Sequence, residues 1–228
     1  MSVRALIRRA AALLLAAQAA AQAAPALPAQ AATPEAFVPA GWQIEQRQAV
    51  DLDRDGRPDA VLLLRPDAPP PAPGAGTSPE RVLAVLKAGR AGWQLAGANA
   101  RLVPQVDLAT QEDPLANGEL LAERGSVLLS LGLGSTAGSY LSAVVRYRLR
   151  IDGGCVRLIG YDRLQTHRGT QETQDLSVNF LTGRVLHTSG NAQGDTTARR
   201  QARLAANPRR CLPDLDSATS FSPLGEPR

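Results

Sequence analysis

Short apolar runs separated by turn residues are the feature of this sequence that most constrains its fold. From Trp42 onward, stretches of Val, Ile, Leu and aromatic residues last only a few positions before Gly, Pro or Asp interrupts them. In residues 146–151, polar and apolar side chains alternate strictly, which is typical of a strand with one buried face. The pattern predicts a mainly β protein: a single antiparallel β domain with at most one or two short helices.

Turn residues divide this region into individual strands. Asp152-Gly153-Gly154 and Thr182-Gly183 have the residues that tight hairpin turns require. The proline-rich segment 66–79 cannot lie inside a sheet, because proline has no N–H to donate. The predicted strands span 42–50, 59–65, 81–87, 92–96, 126–132, 140–151, 155–162, 173–181 and 184–189.

The two ends of the mature chain differ in composition from the β-rich domain predicted over 37–206. Residues 24–36 are mainly Ala, Pro and Gln, which predicts a flexible lead-in. Residues 207–228 are rich in proline and are predicted to form a disordered tail unless something ties them down. The segment 195–206 has helical character, with Asp195 as a candidate N-cap and Asn207-Pro208 as the stop.

Residues 1–23 have the organisation of a secretory signal peptide. Three arginines precede an apolar stretch at 10–17 that is too short to span a bilayer, and Ala21-Gln22-Ala23 supplies small residues before a cut. We therefore expect a mature protein that begins near Ala24 and is periplasmic or secreted. No later segment is long and apolar enough for a transmembrane helix, so a membrane-spanning protein is not expected.

The charge balance of the mature chain does not favour a nucleic-acid partner. Three of the 25 Lys and Arg residues lie in the leader, which has no acidic residue, so 22 basic residues remain against 21 acidic ones. Proteins that bind nucleic acid usually carry a marked basic excess. The expected partner is instead an envelope or extracellular component, whose identity the sequence leaves open, as it does the oligomeric state.

Cys155 and Cys211 are the only cysteines in the chain. In an exported protein, an oxidising compartment favours a disulfide between such a pair. Two unrelated buried thiols are the alternative. A bridge here would tie the proline-rich tail to the β domain.

The segment from Asp51 to Asp59 carries aspartate at alternate positions, then glycine and a fourth aspartate. Calcium takes six to eight oxygen ligands, and alternate carboxylates can turn toward one point. Gly56 permits the sharp turn that such a loop needs. The alternative is a turn whose aspartates bond only to their own backbone. The predicted Ca²⁺ ligands are the carboxylates of Asp51, Asp53, Asp55 and Asp59 and the main-chain carbonyl of Arg57.

This loop is not an EF-hand, because its twelfth position is Leu62 where an EF-hand has a bidentate Glu. It leads into the apolar run 60–64 and resembles the calcium-binding hairpin of FG-GAP and VCBS-type repeats. The order of segments over 37–190, and 177–183 in particular, is similar to that of small exported bacterial proteins with a single hairpin of this kind. The resemblance implies a β fold, export and a calcium hairpin, and it implies no activity.

Other motifs give weaker indications. The glycine-rich segment 132–138 follows a strand, but a dinucleotide-binding turn must open a helix, and residues 140–148 favour a strand instead. The serines lack a Gly-x-Ser-x-Gly elbow. His167 and His187 have no partner spacing for zinc. These features predict a loop between two strands and no nucleophilic triad.

Four acidic residues lie close together in sequence: Glu112, Asp113, Glu119 and Glu123. They could supply paired carboxylates for glycoside hydrolysis, or they could form a solvated loop face.

We predict an exported, non-catalytic calcium-binding protein, for example an envelope-associated binding module; the alternative is an exported hydrolase acting on an envelope polymer. A concave cluster of Glu or Asp with raised pKa values would favour the hydrolase, and a flat or aromatic-lined face would favour binding.

Overall fold

The computed structural model describes residues 25–72, 74–135, 141–194 and 196–225, with only the backbone of Thr196 and Thr197. The predicted signal peptide lies outside these residues.

The described part is mainly β, as predicted, and its two helices are single 3-10 turns at Pro34–Phe37 and Leu212–Asp214. Neither of these described helices is long or apolar enough to cross a membrane. In chain order the strands are β1 (Gln30–Ala31), β2 (Trp42–Val50), β3 (Asp59–Pro66), β4 (Val82–Gly89), β5 (Gly92–Asn99), β6 (Glu119–Glu123), β7 (Ser126–Gly134), β8 (Leu141–Asp152), β9 (Cys155–His167), β10 (Glu172–Asn179), β11 (Arg184–Asn191) and β12 (Thr196–Arg203).

The strands form two antiparallel sheets that share one core. The five-stranded sheet has the order β1-β5-β4-β3-β2, and the seven-stranded sheet has the order β12-β11-β10-β9-β8-β7-β6. Two glutamines on β2 connect the sheets at one edge, because Gln48 Nε2 donates to the Leu120 carbonyl at 2.7 Å and the Leu120 N–H donates to Gln46 Oε1 at 2.9 Å. The edges of β2 and β6 are therefore joined through side chains.

The main core lies between the two sheets. From the five-stranded sheet it includes Val61, Leu63, Leu83 and Val85, which alternate along β3 and β4 with residues of the opposite face. Apolar side chains of β7 to β11 pack against them, including the fully buried Tyr147. This burial is the main source of stability for such an arrangement.

The outer face of the five-stranded sheet is also covered. Phe37 is completely buried there, against Leu62, Leu64 and Leu86. Residues 25–36, predicted as a flexible lead-in, instead include β1, paired with β5, and the 3-10 turn that positions Phe37. A strand buried on both faces contains an almost continuous apolar run, and this accounts for Ala60–Leu64.

The helix predicted over 195–206 is wrong, because residues 196–203 form β12 at the edge of the seven-stranded sheet. β12 pairs with β11 from Arg184↔Arg203 to Gly190↔Thr196. The Ala, Gln and Arg residues here have good helix propensity, but the open edge of β11 supplies backbone partners that outweigh it. Arginine on an edge strand also discourages pairing with another chain. The proposed N-cap, Asp195, lies outside the described residues.

The tail after β12 packs against the core at Leu212, Leu215, Ala218 and Phe221. Cys155 and Cys211 form a disulfide, as the sequence predicts, and Leu212 and Leu215 are buried between the sheets. The buried Asn99 amide donates to the carbonyls of both leucines at 2.7 and 2.8 Å. The described part of the tail therefore belongs to the folded domain rather than to a disordered extension.

Candidate metal centre

The aspartate loop connects β2 to β3 as a hairpin, in which Val50 pairs with Asp59. Two residues of the loop have a positive φ, Arg54 at 65° and Gly56 at 86°. The left-handed region favours glycine at the second position, as the sequence suggested, since glycine has no Cβ to strain it. The loop folds back on itself between the two strands.

Three of the four predicted carboxylates converge. Asp51, Asp53 and Asp59 each place one carboxylate oxygen within 4.8 Å of the others. Calcium binds oxygen at about 2.3–2.6 Å, so two ligands of one ion lie at most about 5 Å apart. The separation of these oxygens is therefore compatible with a shared cation. In the described part of the chain, this is the only group of acidic, His or Cys residues close enough to hold a metal.

Asp59 is the anchor of the cluster. Its side chain is 1% exposed, its Oδ2 accepts the N–H of Leu52 at 2.9 Å, and its Oδ1 accepts the N–H of Ala88 at 2.9 Å. Burial raises the pKa of Asp59, while the two backbone hydrogen bonds act in the opposite direction. A carboxylate in this position ties the loop to both β3 and β4.

Asp51 and Asp53 also hold the loop's own backbone. Asp51 accepts the N–H groups of Asp55 and Gly56 at 3.1 and 2.9 Å, and Asp53 Oδ1 accepts the N–H of Asp55 at 3.1 Å. These are the bonds expected of an Asp-rich turn. Each carboxylate oxygen has a second lone pair, so the bonds leave capacity for a cation.

The fourth predicted carboxylate, Asp55, is turned toward Arg57 and is absent from the converging group. The Arg57 guanidinium donates to Asp55 Oδ2 at 2.6 Å, and its main-chain N–H donates to Oδ1 at 2.9 Å. These bonds hold the pKa of the Asp55 carboxyl below its usual value. To act as a ligand, Asp55 would have to exchange its arginine for the metal. The Arg57 carbonyl remains a predicted ligand.

Lys87 is a residue of the site that the sequence did not indicate. It lies on β4, next to Ala88, and its ammonium forms an ion pair with Asp53 Oδ2. This contact raises the pKa of Lys87. Lys87 is far from the loop in sequence and belongs to an ordinary apolar strand, so no local pattern could have assigned it to the site.

The donor set fits a hard divalent cation. Every side-chain donor is a carboxylate oxygen, the ligand type that calcium prefers. Lys87 and Arg57 neutralise Asp53 and Asp55, whereas Asp51 and Asp59 have no ion-pair partner within the described chain. Two uncompensated carboxylates, one of them almost fully buried, match the charge of one divalent ion.

No family model, no curated protein and no solved structure matches the chain, so comparison with known proteins assigns it to no family.

The other acidic residues do not form one group. Glu112 and Asp113 line a cavity beside β2, whereas Glu119 and Glu123 are exposed on β6. Asp113 accepts two hydrogen bonds from Arg81, at 2.8 and 2.9 Å. The structure therefore separates the four residues that the sequence places together.

The glycine-rich segment is followed by a strand, β8, as predicted. Residues 136–140, which complete the connection, lie outside the described part of the chain. A helix N-terminus, which a dinucleotide-binding turn requires, is not found at residues 132–135 or 141–152.

Proposed function

We propose that this chain is an exported, non-catalytic protein whose β2–β3 hairpin binds one Ca²⁺, and that it serves as a binding module of the envelope or the extracellular medium. The observation that carries the proposal is the convergence of the Asp51, Asp53 and Asp59 carboxylates within 4.8 Å, with Asp59 buried. Lys87 compensates the charge of Asp53, so the remaining repulsion is that of Asp51 and Asp59, which a divalent cation would relieve.

The role of the ion would be structural. Asp59 already connects the loop to Leu52 and to Ala88 of β4, so an ion on the same carboxylate would stiffen the hairpin where three backbone segments meet. Asp51, Asp53 and Asp59 would hold the ion, with Asp55 and the Arg57 carbonyl completing its shell. Calcium would supply charge compensation and no chemistry.

Export is supported by two features. The leader has the organisation of a signal peptide, and the disulfide between Cys155 and Cys211 suits an oxidising compartment. The periplasm and the external medium are both consistent with these features.

Two measurements test the proposal. Fractionation of native cells, followed by N-terminal sequencing, should recover a protein that begins near Ala24 outside the cytoplasm; an intact Met1 on cytoplasmic protein would contradict export.

Thermal unfolding should then be followed in EDTA, calcium and magnesium. Extracellular calcium sites bind at roughly 0.1–1 mM, and at ten times that constant the ion adds about 1.4 kcal/mol of stability. We expect calcium to raise Tm by about 3–6 °C, and magnesium to raise it less because it demands a tighter octahedral shell.

A further inference from the structure

A cavity of about 630 Å³ lies beside β2, remote from the aspartate loop in the fold. Its walls include residues 70, 71, 74 and 79 of the connection between β3 and β4, and residues between 108 and 116 of the connection that precedes β6. The volume falls within the range of small-molecule sites, about 300–1,000 Å³. The apolar part of the lining comes mainly from Pro70, Pro71, Leu108 and Leu115.

Hydrogen bonds between the two connections hold the walls in place. The Ser78 N–H donates to the Val106 carbonyl at 2.9 Å, and the Val106 N–H donates back to Ser78 Oγ at 3.0 Å. The Leu108 N–H donates to the Gly76 carbonyl at 2.9 Å. The cavity is thus formed before any ligand enters it, which lowers the entropic cost of binding.

A buried arginine organises the polar side of the cavity. Arg81 is 3% exposed and makes two paired sets of hydrogen bonds, to Glu45 at 2.7 and 2.9 Å and to Asp113 at 2.8 and 2.9 Å. Replacing such a buried ion cluster with apolar residues is often neutral or stabilising, so stability alone does not account for it. The cluster fixes two carboxylates at the cavity wall.

The charged side chains of this wall carry a net negative charge. Arg81 is engaged by Glu45 and Asp113, whereas Arg65 donates through Nη1 to the carbonyls of Pro66 and Ala68 at 3.2 and 3.1 Å, and its Nε lies 4.0 Å from Glu45 Oε1. The side chain of Arg65 is 22% exposed, as open as those of Glu45 and Asp113 at 21% and 22%. Together with Glu112, these two carboxylates give the lining three negative charges against two positive ones.

We propose that this cavity binds an organic cation: a molecule with one ammonium group on an apolar body. The ammonium would lie against the carboxylates of Glu45, Glu112 and Asp113, and the apolar body would lie against the proline and leucine side chains. An organic anion would meet the excess negative charge, and the Arg81 guanidinium is already occupied by two carboxylates. The inference is independent of the calcium site.

The test is a calorimetric titration of the mature protein in EDTA with hexylamine, with hexanoate and 1-hexanol as probes of equal chain length. We expect saturable one-site binding of hexylamine only. Ala116→Trp places an indole in the cavity from an exposed position and should weaken binding at least tenfold, whereas Ala122→Trp, on the exposed β6, should leave it unchanged.

Glu112→Gln provides a second variant that does not disturb Arg81, since Glu112 is exposed and takes no part in the buried ion cluster. It should weaken hexylamine binding about fivefold, because one unit charge at 4 Å in water contributes about 1 kcal/mol. This variant decides the question if Ala116→Trp fails to fold. Equal binding of hexanoate, no binding of hexylamine, or unchanged binding in Glu112→Gln would overturn the proposal.

Discussion

The Asp59 carboxylate accepts the N–H of Leu52 at 2.9 Å, so the last aspartate of the loop holds the backbone near its beginning. Because Oδ1 of the same carboxylate accepts the N–H of Ala88, Asp59 is a structural residue as well as a candidate ligand. A substitution at Asp59 can therefore remove its backbone hydrogen bonds as well as a candidate metal ligand.

Asp59→Asn should therefore destabilise the protein even without calcium. An amide can accept only one of the two backbone N–H groups, and an unsatisfied buried donor costs about 1–3 kcal/mol. Urea unfolding in EDTA should show a loss of this size. Asp53→Asn is the matched control, because Asp53 accepts an exposed loop N–H and pairs with Lys87, and it should cost less than about 1 kcal/mol. Equal losses would assign no special structural role to Asp59.

Lys87 competes with any cation at Asp53. Removing its charge in Lys87→Gln should tighten calcium binding about fivefold, since one unit charge at 4 Å in water contributes about 1 kcal/mol. Arg90→Gln, which removes a charge from the turn after β4 without touching the aspartates, should have little effect. Calcium titrations of the two variants make this comparison. Weaker binding in Lys87→Gln would show that the lysine supports the site instead of opposing it.

The hairpin was predictable from the sequence, and its surroundings were not. Alternating aspartates and Gly56 indicate a tight acidic loop locally, and the turn residues around Gly153 and Gly183 indicate hairpins. Lys87 and the backbone of Ala88 reach the loop only through the pairing of β3 with β4. Long-range pairing also explains the error at β12, where the edge of β11 overrides helix propensity.

The tail is another segment whose structure depends on long-range contacts that its local sequence does not indicate. Its prolines suggest disorder, yet Leu215 is 1% exposed within the main core. Leu215→Ala should cost about 2–5 kcal/mol in the free energy of unfolding, the usual range for a buried leucine. Leu224→Ala, where the leucine is 45% exposed, should stay within about 0.5 kcal/mol of the wild type. A negligible effect at Leu215 would mean that the tail is not part of the folded core.

The disulfide should stabilise the domain by restricting the unfolded chain. The two cysteines are 56 residues apart, and the chain-entropy model assigns about 4 kcal/mol to a loop of that length. Replacing both cysteines with serine should lower stability by up to this amount in chemical denaturation. Thiol titration of the unreduced, denatured protein should detect no free thiol, and two free thiols would contradict the bridge.

Asp152 makes stability depend on pH at the end of the β8–β9 hairpin. Its Oδ2 accepts a hydrogen bond from Arg157 at 2.7 Å, which holds the pKa of the Asp152 carboxyl below its ordinary value of 3.8, with Arg150 and Arg209 contributing. The folded state thus favours the ionised form. The stabilisation is present above the unfolded pKa and is lost as the pH falls through the folded pKa.

Asp152→Asn should consequently lower Tm at pH 7 by less than about 4 °C, as expected for an exposed ion network. The difference from the wild type should shrink as the pH falls through the folded pKa, because the wild-type carboxyl then becomes protonated as well. Asp175→Asn serves as the control, because Asp175 has no ion pair within the described residues. A difference that persists at low pH would point to the loss of packing instead of charge.

Calorimetric titration of the mature protein with calcium tests the central claim most directly. We predict one ion per chain at a dissociation constant of roughly 0.1–1 mM, abolished in Asp53→Ala and retained in Asp67→Ala, which removes an exposed aspartate outside the cluster. If the wild-type protein takes up no calcium, or if Asp53→Ala binds it as well as the wild type does, the loop is an aspartate-rich turn and not a metal centre.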